Sequence, residues 1–237
     1  MKILFTLSVM LVAINVFALD GEVHKHTSSK CINSNEFSID VSGRVCVEVL
    51  NKKGDVKTRS NYLGQHKEGL EEHFYDDGSL HIKLFYVQGL QQGVETHFYK
   101  EGRKKAEINY SNGRRNGKML SWYPSGEILG VAYFKDDMHD KMSQAWFENG
   151  ELKAVGYFKD GHQDGQEIQY YDNGKKKLEA SFLKGRLHGL AKQWYLGGEL
   201  KSEILYKDGE IDGLNNHWAQ DGSRLPSEGD EDSGLVY

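Results

Sequence analysis

Histidines recur in this chain at a regular spacing that raises the question of a metal site. His73, His97 and His217 stand at multiples of 24 residues from one another. Equivalent positions on successive β-hairpins lie roughly 9–10 Å apart, whereas zinc holds its ligands about 2 Å from one centre. We therefore expect these three histidines to be exposed residues of a sheet and not ligands of a shared metal ion. His24 and His26 form a separate pair, but two histidines without further ligands do not define a metal site.

Aspartates are the second group with catalytic potential, and most of them stand where turns are expected. They are Asp76, Asp77, Asp136, Asp137, Asp160, Asp172 and Asp208. Aspartate in a turn hydrogen-bonds the local backbone, and a repeated turn lacks the distinct environments that paired catalytic acids require. No serine nucleophile motif or phosphate-binding glycine loop occurs in a strand-to-helix setting. The sequence predicts a protein that is not an enzyme and has no cofactor.

The loop of residues 136–141 interrupts the spacing of the glycines. It reads Asp-Asp-Met-His-Asp-Lys and lacks the two glycines that the neighbouring copies carry. Its acids and His139 could form a cation site or a partner contact. Sequence drift in a tolerant loop explains the same pattern, and we prefer that interpretation.

The elements that carry these residues follow from a 24-residue repeat without insertion or deletion. Its glycines are Gly54, Gly78, Gly102, Gly126, Gly150, Gly174, Gly198 and Gly222. Counted from Gly69 as position 1, aromatic residues recur at positions 6, 7 and 18, and the residues after position 11 alternate in polarity. This pattern predicts a β-hairpin in each copy. Stacked repeats mostly hold partners, so the repetition favours binding over catalysis.

The parity of the apolar positions predicts the turn of each hairpin. Even positions of the second strand, such as Leu84, are apolar or small, and residues opposite each other in a hairpin share a face. A two-residue turn would place polar Glu71 and His73 on that face, whereas a three-residue turn would place Leu70 and Phe74 there. We therefore predict a three-residue turn that ends in a left-handed glycine.

The predicted fold is all-β, an elongated single-layer antiparallel sheet of repeated 24-residue β-hairpins over residues 45–225. Seven copies with two strands each, at about 4.8 Å per strand, extend roughly 70 Å. Pro226 ends the pattern, and residues 226–237 are predicted to be a disordered acidic tail.

Residues 165–185 and 189–209 contain the motif G-x-x-x-x-(Trp/Phe/Tyr)-Tyr-x-x-G-x-(Leu/Lys), followed by an aromatic residue shortly before the next glycine. This motif resembles the bacterial variant of the MORN repeat and is similar to the repeats of YwqK-type antitoxins of toxin–antitoxin modules. The resemblance covers residues 45–225. It implies hairpin repeats that contact proteins or, in some relatives, membrane lipids.

Residues 1–18 have the features of an export signal. Lys2 precedes an apolar run over residues 3–12, and residues 16–18 read Val-Phe-Ala. The mature chain is expected to begin near Leu19 and to be periplasmic or secreted. This location puts the neutralisation of a cytoplasmic toxin in doubt. A membrane anchor is the alternative, but the apolar run falls short of the roughly 20 residues that span a bilayer.

Cys31 and Cys46 are the only cysteines. In an exported chain they predict one disulfide, which would close an N-terminal segment of residues 19–44 and stabilise it by about 3 kcal/mol. Two buried free thiols are the alternative.

The net charge of -5 results from 30 basic and 35 acidic residues, which are mixed along the repeats. Without a basic stripe, nucleic acid is a poor candidate partner.

The second face of the predicted sheet is mostly Lys and Glu but becomes apolar in the two central copies. We predict a binding surface there, formed by Tyr123, Leu129, Val131, Tyr133, Phe147, Val155 and Tyr157. Contiguous exposed apolar patches are seldom left uncovered without a use, and tyrosine and phenylalanine serve as anchors. Cover by the N-terminal segment, the tail or curling of the sheet is the alternative. The candidate partners are a protein, which in one alternative is a toxin, and membrane lipid.

Overall fold

The computed structural model describes residues 43–226, which form one antiparallel sheet of 18 strands. The strands are β1 (Arg44–Leu50), β2 (Val56–Leu63), β3 (His66–Phe74), β4 (Leu80–Val87), β5 (Leu90–Phe98), β6 (Lys104–Ser111), β7 (Arg114–Trp122), β8 (Ile128–Lys135), β9 (Met138–His139), β10 (Lys141–Trp146), β11 (Leu152–Lys159), β12 (His162–Tyr170), β13 (Lys176–Leu183), β14 (Arg186–Leu187), β15 (Gly189–Trp194), β16 (Leu200–Lys207), β17 (Glu210–Trp218) and β18 (Arg224–Leu225). Strands pair with their neighbours in sequence, except that the short strands β9 and β14 pair only with β8 and β13, which then pair with β10 and β15. The fold is the predicted all-β sheet of repeated hairpins.

Several predictions from the sequence concern residues outside the described range. These are the export signal, His24 and His26, the partner cysteine Cys31 and the acidic tail after Pro226. The disulfide between Cys31 and Cys46 therefore stays a prediction. Among residues 43–226 there is no helix long and apolar enough to cross a membrane.

Two kinds of turn alternate along the sheet. Within a repeat, the Tyr75 N–H donates to the Ser79 carbonyl at 2.9 Å and the Gly78 N–H to the Tyr75 carbonyl at 3.0 Å. This is the predicted three-residue turn, with Gly78 at φ 82°. Between repeats, two left-handed residues such as Asp160 and Gly161 join the strands, which is the turn that matches the twist of a hairpin.

The prediction of which residues share a face was wrong beyond the turn. Phe74 lies opposite Leu80 as expected, but the register shifts between His73 and Phe74. The second strand holds one extra residue there, a β-bulge that changes which side chains oppose each other. Glu71 therefore lies opposite Leu84. The same shift recurs in the other hairpins.

The bulges define two faces, which we call inner and outer. The inner face carries positions 3, 5 and 7 of each repeat together with 13, 14, 16 and 18, and the outer face carries positions 2, 4, 6, 12, 15 and 17. Most buried residues lie on the inner face: Ser60, Glu71, Leu84, Phe134, Ala180, Ala191 and Ser202. Large exposed side chains such as Phe85 and Val94 lie on the outer face.

Tyrosines at position 7 link successive repeats on the inner face. Each hydroxyl donates to the position 6 carbonyl of the next repeat, as from Tyr99 to Trp122 at 2.8 Å and from Tyr171 to Trp194 at 2.8 Å. Lysines at position 13 lie over these rings, for example Lys177 Nζ at 5.8 Å from the ring centre. Between Tyr75 and Tyr195 of the described chain, Phe147 is the one position 7 residue without a hydroxyl.

Candidate functional site

One row of side chains on the outer face changes from charged to apolar in the middle of the sheet. Strand by strand, the row runs through Leu120, Val131, Gln144, Val155 and Ile168, each opposite the next. Glu107 lies opposite Leu120 at one end, and Glu179 lies opposite Ile168 at the other. The uncharged part of the row therefore spans five adjacent strands between two carboxylates, with four apolar residues and the polar Gln144 at its centre.

Aromatic side chains border this row on both sides. Trp122 and Trp146 lie at the turn end of their strands, where they pair with Ile128 and Leu152. Tyr133 and Tyr157 lie toward the other end, opposite Lys118 and Met142. Tyr157 is 44% exposed and Ile128 is 43% exposed. We call Leu120, Trp122, Val131, Tyr133, Trp146, Val155, Tyr157 and Ile168 the central patch.

The structure separates the seven binding residues expected from the sequence. Val131, Tyr133, Val155 and Tyr157 lie together in the central patch. Tyr123, Phe147 and Leu129 lie on the inner face: the Tyr123 hydroxyl donates to the Trp146 carbonyl at 2.9 Å, and Phe147 lies 5.5 Å beneath Lys153 Nζ. Leu129 is the extra residue of the bulge in β8.

The two tryptophans were missed because the parity argument placed position 6 on the opposite face. The bulge that reverses this placement falls on His81, Lys105, Leu129, Lys153, Lys177 and Lys201. None of these residues is a glycine, so the sequence gives no local signal of a bulge at this position. Only the register of the paired strands reveals that Trp122 and Trp146 join the central patch.

Buried carboxylates form polar networks on the inner face. Glu71 accepts hydrogen bonds from Ser60 Oγ at 2.8 Å and from His73 Nε2 at 2.9 Å, and it pairs with Lys67 Nζ at 2.5 Å. Burial raises the pKa of Glu71, but the hydrogen bonds from His73, Lys67 and Ser60 outweigh burial and lower the pKa to about 2. The networks thus keep buried carboxylates ionised.

Two further repeats contain the same arrangement. Glu95 is bonded by Gln91 and by His97, and these hydrogen bonds lower its pKa although burial raises it. Gln163 Nε2 donates to Glu167 at 2.7 Å, and a second amide bonds the same carboxylate from two residues later. In each case the side chains four residues before and two residues after the glutamate bind it.

A groove of about 280 Å³ lies on the inner face between these networks. Small residues form much of its lining, among them Ser121, Gly130, Ala132, Ser143, Ala145 and Gly156. The His139 ring lies between Phe134 and Phe158, with ring centres 4.3 and 4.9 Å away. Within the described chain, His139 Nδ1 and Ser143 Oγ are buried without a hydrogen-bond partner. The groove thus combines small and apolar residues with two unused polar atoms, and the hydrogen-bonded pair Gln163 and Glu167 also lines it.

The other histidines with a repeat spacing belong to the polar networks or pack on rings. His73 and His97 bond the glutamates two residues earlier, and His81 packs on Tyr75 with ring centres 4.2 Å apart. His217 bonds Asn215 at 2.9 Å. In the part of the chain that the structure describes, no group of three or more His, Cys, Asp or Glu residues is arranged to hold a metal ion.

The irregular loop of residues 136–141 is held by an ion pair. Asp137 Oδ1 accepts from the Arg115 N–H at 2.9 Å and from its Nε at 3.2 Å, and the Asp137 N–H donates to the Arg115 carbonyl at 3.0 Å. Burial and the charge of Arg115 lower the pKa of His139. The loop therefore supplies a neutral histidine to the groove at pH 7.

Five segments of the chain match the family described as MORN repeat variant: residues 67–88, 91–112, 115–136, 163–184 and 187–208. A comparison with curated proteins found no match. The matched segments leave out residues 137–162. This interval contains β9, β10 and β11, and with them His139, Ser143 and Val155. The repeat that interrupts the series of matched segments is therefore the one at the groove and the central patch.

Proposed function

This chain is a MORN-repeat protein, and from that premise we propose that it is an exported, non-enzymatic scaffold that binds a protein partner through the central patch. The observation that carries the proposal is the row of apolar residues Leu120, Val131, Val155 and Ile168, at repeat positions 4 and 15, which are charged or polar in the other repeats. The other residues at these two positions are charged or polar: Glu48, Arg59, Glu72, Lys83, Thr96, Glu107, Gln144, Glu179, Lys192, Glu203 and Asn216. Charged and polar side chains at these positions are typical of a face exposed to solvent. Their replacement by apolar side chains in the central strands is typical of a surface that contacts a partner.

The composition of the patch also fits a protein interface. Tryptophan and tyrosine are enriched among the residues that dominate binding energy, and Trp122, Trp146, Tyr133 and Tyr157 surround the aliphatic row. A charged rim around an apolar centre is the usual anatomy of such interfaces. The charged side chains Glu107, Lys118 and Glu179 supply part of that rim.

The similarity to YwqK-type antitoxins makes a toxin one form that the protein partner could take. Export through residues 1–18 places that partner in the periplasm or outside the cell. Attachment to a membrane surface through the exposed aromatic residues is the competing use of the same patch.

The test is affinity capture from envelope and secreted fractions with the chain of residues 19–237, beside the variants Val155→Glu and Lys83→Glu. Lys83 occupies the same repeat position outside the patch, so it controls for the added charge. We expect one protein to be captured by the parent and by Lys83→Glu and lost with Val155→Glu. Equal capture by both variants contradicts the proposal. Sedimentation with liposomes, lost only in Val155→Glu, would assign the patch to lipid.

A further inference from the structure

Three repeats carry a complete carboxylate network on the inner face, and the central repeat carries only part of it. Glu71, Glu95 and Glu167 stand at position 3 of their repeats, and the side chain four residues earlier bonds each carboxylate. Ser143 stands at position 3 of the central repeat. The network there lacks its carboxylate.

The rest of the central repeat leaves the place of that carboxylate open. His139 occupies the donor position four residues before Ser143, yet its Nδ1 and Ser143 Oγ have no partner among the described residues. Gly156, opposite Ser143, and Ala145, two residues later, add no bulk. An unsatisfied buried polar group costs about 1–3 kcal/mol, so an acceptor supplied from outside would gain two hydrogen bonds.

The geometry points to a binding site for an organic carboxylate on a compact apolar body, whose carboxylate takes the place that Glu71, Glu95 and Glu167 fill in their own repeats. His139 Nδ1–H and Ser143 Oγ–H donate to that carboxylate. The apolar body packs against Phe158 and the small residues of the groove.

The electrostatics of the inner face accommodate a further carboxylate. Position 3 residues of successive repeats lie two strands apart, roughly 10 Å, and the fold already holds Glu71 and Glu95 at this spacing. Glu167 lies at the same spacing from Ser143 and itself lines the groove, where the side-chain amides of Gln163 and Gln169 bond its carboxylate. The Arg115 guanidinium, 4.4 Å from the Phe134 ring centre, adds positive charge beside His139.

The size of the groove selects a compact ligand. Its volume of about 280 Å³ lies just below the range of roughly 300–1,000 Å³ for drug-sized ligands. One aromatic ring with a carboxylate suits this space, either as a free aromatic acid or as the carboxyl-terminal residue of a polypeptide. The groove opens on the face opposite the central patch, although Val131 and Val155 also border it. The two tests stay distinct because the groove is tested by benzoate binding and substitutions at Ser143 and His139, and the patch by partner capture.

The experiment is an NMR titration of the protein of residues 19–237 with benzoate and with its neutral counterpart benzamide. We expect benzoate to bind in the millimolar range and benzamide about tenfold more weakly or not at all. The variant Ser143→Glu supplies its own carboxylate. We expect it to lower benzoate affinity at least about tenfold and to raise Tm, a combination that misfolding cannot produce.

The repeats also provide matched substitutions for His139. Glutamine is the donor at this position in Gln91 and Gln163, so His139→Gln should bind benzoate within about threefold of the parent. His139→Leu introduces the residue found at the equivalent position, Leu187, in a repeat without a carboxylate. This variant should no longer bind benzoate. Equal binding of benzamide, full binding by Ser143→Glu, or no response to benzoate at about 50 mM overturns the inference.

A third probe distinguishes the source of the carboxylate. The tripeptide Gly-Gly-Phe with a free carboxyl terminus is compared with benzoate and with its own amidated form. Binding of the free peptide at least about tenfold tighter than benzoate assigns the site to a polypeptide terminus. Binding equal to or weaker than that of benzoate assigns it to a free aromatic acid. Equal binding of the amidated peptide overturns the carboxylate requirement.

Discussion

At the residue scale, the central repeat keeps the left-handed backbone conformation of position 1 although its residue there is not glycine. Position 1 is a left-handed glycine in most repeats, as at Gly165 with φ 116°, but the central repeat has Lys141 with φ 65° at this position. A side chain in this conformation costs roughly 1–2 kcal/mol. The surrounding strand pairs therefore hold Lys141 in a strained state.

Lys141→Gly should relieve this strain. We expect the free energy of unfolding to rise by roughly 0.5–1 kcal/mol, because the added freedom of glycine in the unfolded chain offsets part of the gain. Urea unfolding followed by circular dichroism measures the change. Lys159→Gly, on a strand with ordinary φ, is the control and should lower stability by a similar amount. Destabilisation by Lys141→Gly would show that Lys141 is not strained.

The lowered pKa of Glu71 predicts how acid destabilises the sheet. Its folded pKa of about 2 lies below the ordinary value of 4.5. The carboxylate therefore contributes stability that is fully present above about pH 4.5 and is lost as the pH falls toward 2. The shift corresponds to about 3 kcal/mol.

Glu71→Gln should remove that part of the pH dependence. We expect it to lower the free energy of unfolding at pH 7 by about 3 kcal/mol and to flatten the loss between pH 4.5 and 2. Unfolding curves at a series of pH values test this. Glu101→Gln, at an exposed turn, should leave the pH profile intact. An unchanged profile in Glu71→Gln would refute the assignment.

At the element scale, the tyrosine hydroxyls join one hairpin to the next, and Phe147 is the gap in this ladder. In Phe147→Tyr the new hydroxyl should donate to the Tyr170 carbonyl, as Tyr123 does to the Trp146 carbonyl. We expect about 1 kcal/mol of added stability, measured by chemical unfolding. Tyr171→Phe removes the equivalent bond and should cost a similar amount. If both substitutions are neutral, the ladder contributes no stability.

At the scale of the whole molecule, the 24-residue period makes the sheet extendable one repeat at a time. Deletion of residues 93–116 joins position 24 to position 1 and preserves the order of the faces. We expect this shorter chain to unfold cooperatively at a lower Tm and to keep the central patch, since repeats contact only their neighbours. Circular dichroism and the capture assay measure both.

A deletion of one residue fewer, 93–115, is the control for register. It shifts every later side chain by one position relative to the preceding repeat, and a one-residue slip moves side chains to the opposite face. We expect this variant to lose cooperative unfolding or to expose apolar surface. Equal stability of the two deletions would mean that the period does not set the register.

Much of the fold was predictable because it depends on local signals. The glycine spacing gave the period, aromatic alternation gave the strands, and Gly78 gave the three-residue turn, which the structure confirms. These features depend on backbone conformations and periodicities that a few neighbouring residues determine. The sequence alone thus determined the all-β repeat architecture.

Tertiary structure alone decided which side chains share a face. The bulge at position 13 carries Lys105, Leu129 and their equivalents without a sequence signature, and the pairing of the strands reveals it. It moves Tyr123 and Phe147 away from Val155 and brings Trp146 toward it. The groove at Ser143 likewise depends on side chains from several strands. Register is a property of paired strands, so no single strand encodes these two sites.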